Sequence, residues 1–307
     1  MDQKKKIILL AGPTASGKSK LAIKMAKEIN GEIINADSMQ VYTEISILSS
    51  KPSLSDLKIV RHHLYGFHSV KKDFSTGIWL NLATKKIKKL LNLGKSPIIV
   101  GGTGLYFKSL TEGLAQIPQI PEHIKTSVRK LQREIGQKEF FRQLTLLDSQ
   151  AKKFLIKTDV QRSIRAYEVK KFTSNSVFSL IKRTKPYFEN KMFIKFFINP
   201  PREHLHRAVD ERVEKMFKKG AVDEVKNFLK IKLNTELSVN KILGIREIEE
   251  YIDRKITLDE AKDLIKLRTR QYVKRQFTWS RGHMTTWDKI YSANFNDLLK
   301  KAINKIS

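Results

Sequence analysis

In KIILLAGPTASGKS, residues 6–19, a short apolar segment runs directly into a glycine-rich turn. Residues 6–11 have the length and composition of a buried β-strand. The pattern G-x-x-x-x-G-K-[ST] follows as Gly12-Pro13-Thr14-Ala15-Ser16-Gly17-Lys18-Ser19, and it leads into the amphipathic segment 18–29. A strand, this loop and a helix in that order predict a phosphate-binding loop (P-loop) in an α/β fold.

The chemistry of this loop follows from its backbone and from two side chains. Backbone N–H groups of the loop and of the helix N-terminus point at a bound anion, which the helix dipole also stabilises. Lys18 adds a positive charge, and the Ser19 hydroxyl is a ligand for Mg²⁺ in such loops. We therefore expect a diphosphate and Mg²⁺ here. The pattern alone leaves open whether the phosphates belong to a nucleotide.

Apolar strands and helices alternate in the first third of the chain. Strand-like segments at residues 32–36 and 96–100 are separated by a helical stretch at residues 74–93. Helices between apolar strands predict a parallel sheet with crossover connections. The predicted fold class is therefore α/β, with a P-loop parallel-sheet core.

A long segment without strand character interrupts this core. Residues 121–186 show helical periodicity, residues 191–199 read as a strand that returns to the sheet, and a long helix is predicted from residue 258 to about residue 282. We expect a core of residues 1–118 plus 187–307 that includes C-terminal helices. Residues 119–186 are predicted to form a helical insertion domain that contacts RNA.

The composition favours a folded protein with a polyanionic partner. The chain has 307 residues, 40% of them hydrophobic, which argues against disorder or a fibrous repeat. Sixty Lys and Arg residues against 31 Asp and Glu give a net charge of +29. Arg61 is the single arginine of the first hundred residues, and the other fifteen follow it. Since guanidinium forks suit phosphates and base edges, we expect nucleic acid to contact the later segments; a lysine-rich solvated surface is the alternative.

Several functional classes are excluded by what the sequence lacks. The chain has no cysteine, which excludes disulfides, thiol catalysis and thiolate metal sites and points to a reducing cytoplasm. The apolar run of residues 7–11 is far shorter than the ~20 residues of a membrane-spanning helix, so no membrane association is expected. The adjacent His62 and His63 point in different directions and make a poor chelate, so we expect them to be structural.

Two common classes of phosphate-binding protein fit poorly. A GTPase should carry N-K-x-D, but Asn190-Lys191 and Asn240-Lys241 both lack the following Asp. A motor ATPase should have an apolar strand that ends in Asp-Glu, whereas residues 97–100 run into two glycines. The second predicted strand does end at an acid, Asp37. A carboxylate at the carboxyl edge of a parallel strand lies in the ligand crevice, which leaves a helix cap, a metal-sphere residue and a general base as its possible roles.

The order of motifs resembles that of the tRNA dimethylallyltransferase (tRNA isopentenyl diphosphate transferase) family. A P-loop alone is shared by many families, but the series that follows it over residues 5–282 is specific. The series consists of NADSMQVY (35–42), KP (51–52), HHL (62–64), GGTGLY (101–106), DVQRSIRAYEV (159–169), GIREI (244–248) and TRQYVKRQFTW (269–279).

The resemblance implies a prenyl transfer to RNA. Members of the family transfer a dimethylallyl group from dimethylallyl diphosphate to the exocyclic amine of the adenosine 3′ of the anticodon in tRNA. By resemblance, the P-loop and Arg212 hold the leaving diphosphate, whose charge Mg²⁺ neutralises. Asp37 is then the base that takes a proton from the amine. Thr14 and Thr103 correspond to hydroxyls near the leaving group and the reacting centre.

The same resemblance assigns the remaining motifs to tRNA. The target base must leave the stacked loop, so the enzyme must hold it and its neighbours. Arg162 and Arg165 share one face of a predicted helix, for which a solvated basic face is the alternative. Arg268, Tyr272, Arg275 and Trp279 share one face of the long predicted helix, an alternation of charge and stacking surface that suits RNA, for which core packing of the aromatic residues is the alternative. The residues implied in tRNA binding are Asp37, Ser38, Met39, Gln40, Gln161, Arg162, Ser163, Ile164, Arg165, Gly244, Arg246 and Arg275.

Two other functions remain open from the sequence. A P-loop kinase acting on a small molecule or nucleic-acid end explains residues 12–19 equally well, but it leaves the later motifs and the +29 charge unexplained. A non-catalytic RNA chaperone could use the loop as a switch, but Asp37 and the intact Lys18-Ser19 pair argue against it. The expected partners are the tRNA anticodon loop and dimethylallyl diphosphate, and the expected state is a cytoplasmic monomer.

Overall fold

The computed structural model describes residues 6–233, 237–291 and 295–306, which contain a six-stranded sheet. Its strands are β1 (Ile7–Ala11), β2 (Gly31–Asn35), β3 (His62–His63), β4 (Ser96–Gly101), β5 (Phe193–Ile198) and β6 (Asp288–Ile290). The strand order is β3-β2-β4-β1-β5-β6, and every neighbouring pair is parallel. The predicted α/β fold with a parallel sheet is confirmed.

Helices fill the connections between the strands and the C-terminal part of the chain. They are α1 (Lys18–Glu28), α2 (Leu54–Ile59), α3 (Thr76–Asn92), α4 (Gly104–Glu112), α5 (Glu122–Leu147), α6 (Ala151–Phe154), α7 (Val160–Thr173), α8 (Val177–Lys182), α9 (Arg202–Lys218), α10 (Ala221–Leu229), α11 (Ile245–Ile252), α12 (Leu258–His283) and α13 (Phe295–Asn304). The long predicted C-terminal helix is α12, which begins where Thr257 and Glu260 form a capping box. Within the described ranges, no helix combines the length and apolar character needed to cross a bilayer.

The sheet is buried on both faces because apolar side chains occupy successive positions of its central strands. Ile8 and Leu10 of β1 belong to a cluster that includes Met25 of α1. Ile7 and Leu9 of the same strand are fully buried as well and point to the opposite face, because side chains alternate along a strand. Burial on both faces fixes the register of β1 between β4 and β5.

The two edge strands were not predicted, because they are too short to carry an apolar pattern. β6 spans Asp288–Ile290, and β3 spans only His62–His63. In β3, His63 Nε2 lies 2.6 Å from Glu32 Oε2 and His62 Nδ1 lies 2.7 Å from the Val60 carbonyl oxygen. Burial lowers the pKa of both histidines. These contacts are those of structural residues at the sheet edge.

The chain divides into two compact units. The core unit consists of Met1–Thr111 and Phe188–Ser307, and the helical unit consists of Glu112–Tyr187. The helical unit contains α5 to α8, and Leu144 and Val169 lie fully buried in its own apolar cluster. Gly136, at φ 73°, interrupts α5. The predicted insertion limits of residues 119–186 lie inside this unit.

The close approach of β4 to the chain after β2 requires glycine at position 101. A Cβ atom there would lie 2.0 Å from the Ala36 carbonyl oxygen. We predict that Gly101→Ala lowers the free energy of unfolding by about 2 kcal/mol or more, because the backbone must shift, as measured by urea denaturation. The control is Gly282→Ala in α12, where a Cβ would meet no such neighbour within 4 Å and helix propensity improves. Equal stabilities of Gly101→Ala and the parent chain would contradict the close approach.

Candidate functional site

Three loops lie side by side at one edge of the sheet. The strands β2, β4 and β1 are neighbours and parallel, so their carboxyl ends meet at that edge. The anion loop (residues 12–17) follows β1, the acid loop (residues 36–40) follows β2, and the glycine loop (residues 101–104) begins at the end of β4. This edge therefore collects most of the catalytic and diphosphate-binding residues predicted from the sequence.

The anion loop turns sharply between β1 and α1. Ala15 and Gly17 have positive φ values of 65° and 81°, and the Ser16 N–H donates to the Pro13 carbonyl oxygen at 3.3 Å. Lys18 donates from Nζ to the same oxygen at 3.1 Å. The Ser16 hydroxyl is buried and has no hydrogen-bond partner among the described residues. Since buried hydroxyls are normally paired, this geometry fits a phosphate oxygen as the partner.

A cavity of about 130 Å³, the anion cavity, opens over this loop. The predicted diphosphate-binding residues 14–19 line it, together with Arg212 of α9 and Asp37 of the acid loop. Gly12 lines a neighbouring cavity instead. The structure thus brings Arg212, which is distant in sequence, to the loop with which it was predicted to act. Diphosphate binding by these residues stays a prediction.

Two cations and one carboxylate meet in the anion cavity. Burial lowers the pKa of Lys18 to about 8; the Asp37 carboxylate opposes this shift and the Arg212 guanidinium adds to it. Burial also lowers the pKa of Arg212, against the attraction of Asp37. Cations that have lost part of their hydration gain more from a bound anion than solvated ones do. The cavity is therefore suited to a ligand of multiple negative charge.

Buried Asn35, the last residue of β2, fixes the backbone of Asp37. Its Oδ1 accepts from the Asp37 N–H at 2.8 Å, and its Nδ2 donates to the carbonyl oxygens of Asp37 and Leu64, each at 2.9 Å. The Asp37 Oδ1 accepts from the Met39 N–H at 3.0 Å. Because Asp37 is half-buried and lines the cavity, its carboxylate is both oriented and reachable. The sequence motif contained Asn35, but no role was predicted for it.

Three tyrosines lie near Asp37. Burial raises the pKa of Tyr65, Tyr106 and Tyr272, and the negative charge of Asp37 adds to each shift. The Tyr106 ring stacks on Trp79 at a centroid distance of 4.2 Å. The phenols are neutral at physiological pH, so the charge chemistry of the site belongs to Asp37 and the two cations.

Thr103 of the glycine loop is bonded to the acid loop. Its N–H donates to the Ala36 carbonyl oxygen at 3.1 Å. Its hydroxyl oxygen accepts from the Ser38 N–H at 2.9 Å and donates to the Ser38 hydroxyl at 3.3 Å. The Thr103 hydroxyl, which was predicted to lie near the reacting centre, is thus hydrogen-bonded to Ser38, the residue that follows Asp37 in the chain. Its catalytic role stays a prediction.

A second cavity of about 290 Å³, the apolar cavity, has a lining that is mostly uncharged and includes several aromatic side chains. Phe107, Phe197 and Trp279 contribute rings, and Ser38 and Thr103 contribute polar groups. Residues within two positions of each other in the same three loops line the two cavities, since residues 12, 38 and 102 line the apolar cavity and residues 14, 37 and 101 line the anion cavity. A ligand with one charged end and one apolar end matches this arrangement.

Gln276 of α12 joins two of the loops. Its Oε1 accepts from the Thr14 N–H at 2.9 Å, and its Nε2 donates to the Gly102 carbonyl oxygen at 3.1 Å. The sequence motif TRQYVKRQFTW contained this residue, but other residues of the same helix, among them its neighbour Arg275, were singled out instead. No local signal predicts the contact, because Thr14 lies 262 residues away.

Gln40, a predicted tRNA contact, has its amide engaged within the core unit. Its Nε2 donates to the carbonyl oxygens of Ser49 and Ser50, each at 2.9 Å. Both serines line the anion cavity. The Gln40 side chain therefore shapes the wall of that cavity, and a contact of this residue with tRNA stays a prediction.

Arg212 is held at the cavity by the chain just before Ser49. Its Nη2 donates to the Leu48 carbonyl oxygen at 3.3 Å. The backbone N–H groups of Ser46, Ile47 and Leu48 donate to the Glu224 carboxylate at 2.6, 2.7 and 2.9 Å. The position of the guanidinium thus depends on a segment that Glu224 of α10 anchors.

The three C-terminal residues predicted to contact tRNA have different surroundings. Gly244 precedes α11 with a φ of 104°, and its N–H donates to buried Glu247 at 3.0 Å. Arg246 is exposed on α11, and Arg275 is exposed on α12 with its guanidinium 5.6 Å from the Tyr272 ring centroid. The two arginines are accessible to RNA, whereas Gly244 serves as the start of a helix.

The predicted helical face of α12 is divided between packing and exposure. Arg268 forms an ion pair with buried Glu247 at 2.5 Å. Trp279 covers Gly104, where a Cβ atom would lie 2.3 Å from the indole ring, and it stacks on exposed His283 at a centroid distance of 4.4 Å. Part of this face is therefore structural, which was the alternative left open by the sequence.

The five predicted residues of α7, in the helical unit, differ in exposure. Gln161, Arg162 and Arg165 are exposed, and Ile164 is half-buried. Ser163 is fully buried, and its hydroxyl donates to a backbone carbonyl one turn earlier at 2.6 Å. Arg162 Nη1 lies 3.3 Å from Asp159 Oδ2, and Arg165 Nη1 lies 3.4 Å from Glu168 Oε2. Asp159 is half-buried and Glu168 is buried, but the Arg162 and Arg165 side chains are 76% and 46% exposed, so both guanidinium groups can still be reached by phosphates.

The residues present fit Mg²⁺ bound together with phosphates. Ser19 lines the anion cavity with the unpaired Ser16 hydroxyl at the same loop. Among the described residues, no group of three or more His, Asp or Glu side chains is placed to hold a metal. Magnesium commonly takes few protein ligands and completes its shell with phosphates and water. A site of this type at Ser19 stays a prediction.

Comparison with known proteins places these features in one family. The family model described as IPP transferase matches residues 40–283. The tRNA dimethylallyltransferase of Pelagibacter ubique (strain HTCC1062) is 48% identical over 301 residues, which are 98% of this chain and 96% of the relative. That of Rickettsia felis (strain ATCC VR-1525 / URRWXCal2) is 46% identical over 277 residues and covers 90% of each chain.

Solved structures agree with this comparison. The full-length tRNA isopentenylpyrophosphate transferase from Bacillus halodurans has a TM-score of 0.69 and 29% identity, and it matches 99% of this chain and 96% of its own. A eukaryotic dimethylallyltransferase acting on tRNA has a TM-score of 0.81 over 98% of this chain and 77% of its own. At 23% identity the latter likeness concerns the fold.

The position of Arg212 gives a test of the anion cavity. We predict that Arg212→Lys weakens the binding of inorganic diphosphate about tenfold, because a point charge replaces a fork that can make two hydrogen bonds. Isothermal titration calorimetry without RNA measures the dissociation constant. The matched control is Arg207→Lys on an exposed position of the same helix. If both variants bind diphosphate as the parent chain does, Arg212 has no part in the anion site.

Proposed function

This chain belongs to the IPP transferase family, the tRNA dimethylallyltransferases, and we propose that it transfers a dimethylallyl group from dimethylallyl diphosphate to the N6 amine of the adenosine 3′ of the anticodon in tRNA. It is an enzyme of the prenyltransferase type. The donor, the position of the acceptor and the release of diphosphate are the parts of this statement that are proposed.

The observation that carries the proposal is the composition of the anion cavity. Lys18 and Arg212 supply positive charge from α1 and α9, and Asp37 supplies a carboxylate from the acid loop. A diphosphate held by the two cations would lie beside a group that can accept a proton. Anion stabilisation and base are the two functions that displacement of a diphosphate by an amine requires.

The proposed reaction is a single displacement. Adenine N6 attacks C1 of the dimethylallyl group, the N–C bond forms, and the C1–O bond breaks with its electron pair leaving on the diphosphate. Asp37 takes one N6 proton, which is needed because the lone pair of an aromatic amine is delocalised into the ring and nucleophilic only as the proton departs. Lys18, Arg212 and the backbone N–H groups of the anion loop stabilise the charge on the leaving oxygen.

Magnesium would be held by Ser19 and by oxygens of the diphosphate. When bound, it neutralises part of the charge that develops on the leaving group. The chain's own residues bind and orient the donor and hold the proton at the Asp37 carboxylate.

The apolar cavity suits the uncharged part of the reaction. Phe107, Phe197 and Trp279 exclude water from a space that the loops share with the anion cavity. The dimethylallyl group is apolar and a flipped adenine offers a flat face for stacking, and exclusion of water protects the carbon under attack from hydrolysis. Flipping the base is required because the amine is otherwise stacked in the anticodon loop.

The high positive charge and the exposed arginines support tRNA as the acceptor. The net charge of +29 favours a polyanion, and Arg162, Arg165, Arg246 and Arg275 are exposed on three helices. We propose that these residues contact the anticodon loop and its neighbours. We also propose that the enzyme acts as a monomer, and that it acts in the cytoplasm, since it needs tRNA and a water-soluble diphosphate.

A P-loop kinase remains the alternative that the anion loop alone would support. It would need a nucleotide triphosphate at the loop and a hydroxyl acceptor beside it. It leaves the family match over residues 40–283 without an explanation.

The direct test is incubation of the chain with labelled dimethylallyl diphosphate, Mg²⁺ and unmodified tRNA. Nuclease digestion and mass spectrometry then locate the label. We expect it on one adenosine, directly 3′ of the anticodon. A matched tRNA with guanosine at that position should stay unlabelled. Label on a different nucleotide, or none on any tRNA, would contradict the proposal.

We predict that Asp37→Asn slows the single-turnover transfer about 10²–10⁴-fold, the usual cost of a lost general base. An amide oxygen still accepts from the Met39 N–H, so the acid loop keeps its hydrogen bond and both substrates should still bind. Asp73→Asn, at an exposed position, is the matched control. Transfer by Asp37→Asn at the parental rate would reduce Asp37 to a structural cap.

Arginines that read the anticodon loop should discriminate between RNAs, whereas scattered lysines should not. We predict that Arg162→Ala and Arg165→Ala weaken the correct tRNA more than a tRNA without the target adenosine. Lys85→Ala and Lys89→Ala, at exposed positions of α3, should weaken both RNAs alike, because phosphate contacts position and base contacts specify. Affinities at two salt concentrations separate these effects. Equal losses for both RNAs in the arginine variants would make α7 a merely basic helix.

A further inference from the structure

Gln276 is a buried amide that reaches from α12 to two different loops. Its side chain is 9% exposed. Its oxygen accepts from the Thr14 N–H of the anion loop at 2.9 Å, and its nitrogen donates to the Gly102 carbonyl oxygen of the glycine loop at 3.1 Å. It thus joins the loops that carry Thr14 and Thr103.

The two partners fix the orientation of the amide. The Thr14 N–H is a donor and must meet the oxygen, and the Gly102 carbonyl is an acceptor and must meet the nitrogen. Gly102 leaves room for this contact, because a Cβ atom there would lie 2.3 Å from Gln276 Nε2. Among side chains of this length, only glutamine offers a donor and an acceptor at the same reach; an ionised glutamate offers acceptors alone.

We propose that Gln276 is a positioning residue for prenyl transfer, which sets the distance between the anion loop and the loops that hold the acceptor. This inference rests on the function proposed above. Thr103 is bonded to Ala36 and Ser38, on either side of Asp37. The amide of Gln276 therefore connects the bound diphosphate, through the glycine loop, to the base. A displacement of about 1 Å between reacting groups costs about 10²-fold in rate.

Contacts other than this amide also hold α12 in place. Arg270 forms an ion pair with Asp210 of α9 at 2.5 Å. The Phe277 ring packs edge-on against Phe197 of β5 at a centroid distance of 5.9 Å. Variants at Gln276 should consequently fold, and their effect can be measured as a change in rate.

Two variants and two matched controls test the proposal. Gln276→Met keeps the length and removes both hydrogen bonds, and Gln276→Glu keeps the acceptor and removes the donor at neutral pH. Gln116→Met and Gln116→Glu make the same changes at an exposed loop position outside both cavities. We expect the Gln276 variants to lower the single-turnover transfer rate at saturating substrates roughly 10- to 100-fold. The dissociation constant for tRNA should change less than about twofold, and the controls should match the parent chain.

A pH series on Gln276→Glu gives a readout that loss of packing would not produce. A protonated carboxyl group has one donor and one acceptor, as the amide has, so acid should restore the contact with Gly102. The rate of this variant relative to the parent chain should rise as the pH falls from 8 to 6, and that of Gln276→Met should not. Asp37, Lys18, Arg212, Tyr272 and Arg275 titrate or carry charge in the same cavities of both proteins, so the ratio at each pH removes their contribution.

The outcomes separate this proposal from the proposed function. Parental transfer rates in both Gln276 variants, with prenylated tRNA formed by the parent chain, would overturn the positioning role and leave the function intact. So would a pH-independent rate ratio for Gln276→Glu, since it would assign the loss to packing. Absence of transfer by the parent chain itself would contradict the proposed function instead.

Discussion

The constraint on which the site depends is the parallel alignment of three neighbouring strands, β2, β4 and β1. Because their carboxyl ends coincide, the anion, acid and glycine loops converge without any long excursion of the chain. Hydrogen bonds then connect the loops: the Thr103 N–H donates to the Ala36 carbonyl oxygen, and the side-chain amide of Gln276 bonds to the backbone of Thr14 and Gly102. The spacing between an anion and a base is in this way set by backbone and buried amides, which are stiffer than surface side chains.

The charges at these converging loops favour one orientation of a bound ligand. The cations Lys18 and Arg212 lie in the same cavity as Asp37, and burial lowers the pKa of both cations. A bound diphosphate would stabilise both cations, which lie in the same cavity as the proposed base. The described residues that line the apolar cavity are uncharged except for Arg275. One ligand with a charged and an apolar end is therefore oriented by the cavities themselves.

The sequence located the anion loop because its pattern is local, and it located Asp37 because the acid follows an apolar strand. The contact of Asn35 with Asp37 could have been predicted from the local sequence, because Asn side chains in turns commonly hydrogen-bond to the backbone two residues later. Gln276 was not, because its partner lies 262 residues away. Ser163, proposed as a tRNA contact from resemblance, is buried with Ala166 and Val169 at a spacing of three residues, a helical core pattern that the sequence carried.

If the proposed function is correct, the anion loop holds a group that leaves as diphosphate beside Asp37. The stoichiometry of products tests this in one reaction supplied with dimethylallyl diphosphate, ATP, Mg²⁺ and unmodified tRNA. We expect one diphosphate released for each adenosine modified, with ATP unconsumed. Formation of ADP in proportion to the tRNA, without release of diphosphate, would show instead that the loop drives phosphoryl transfer.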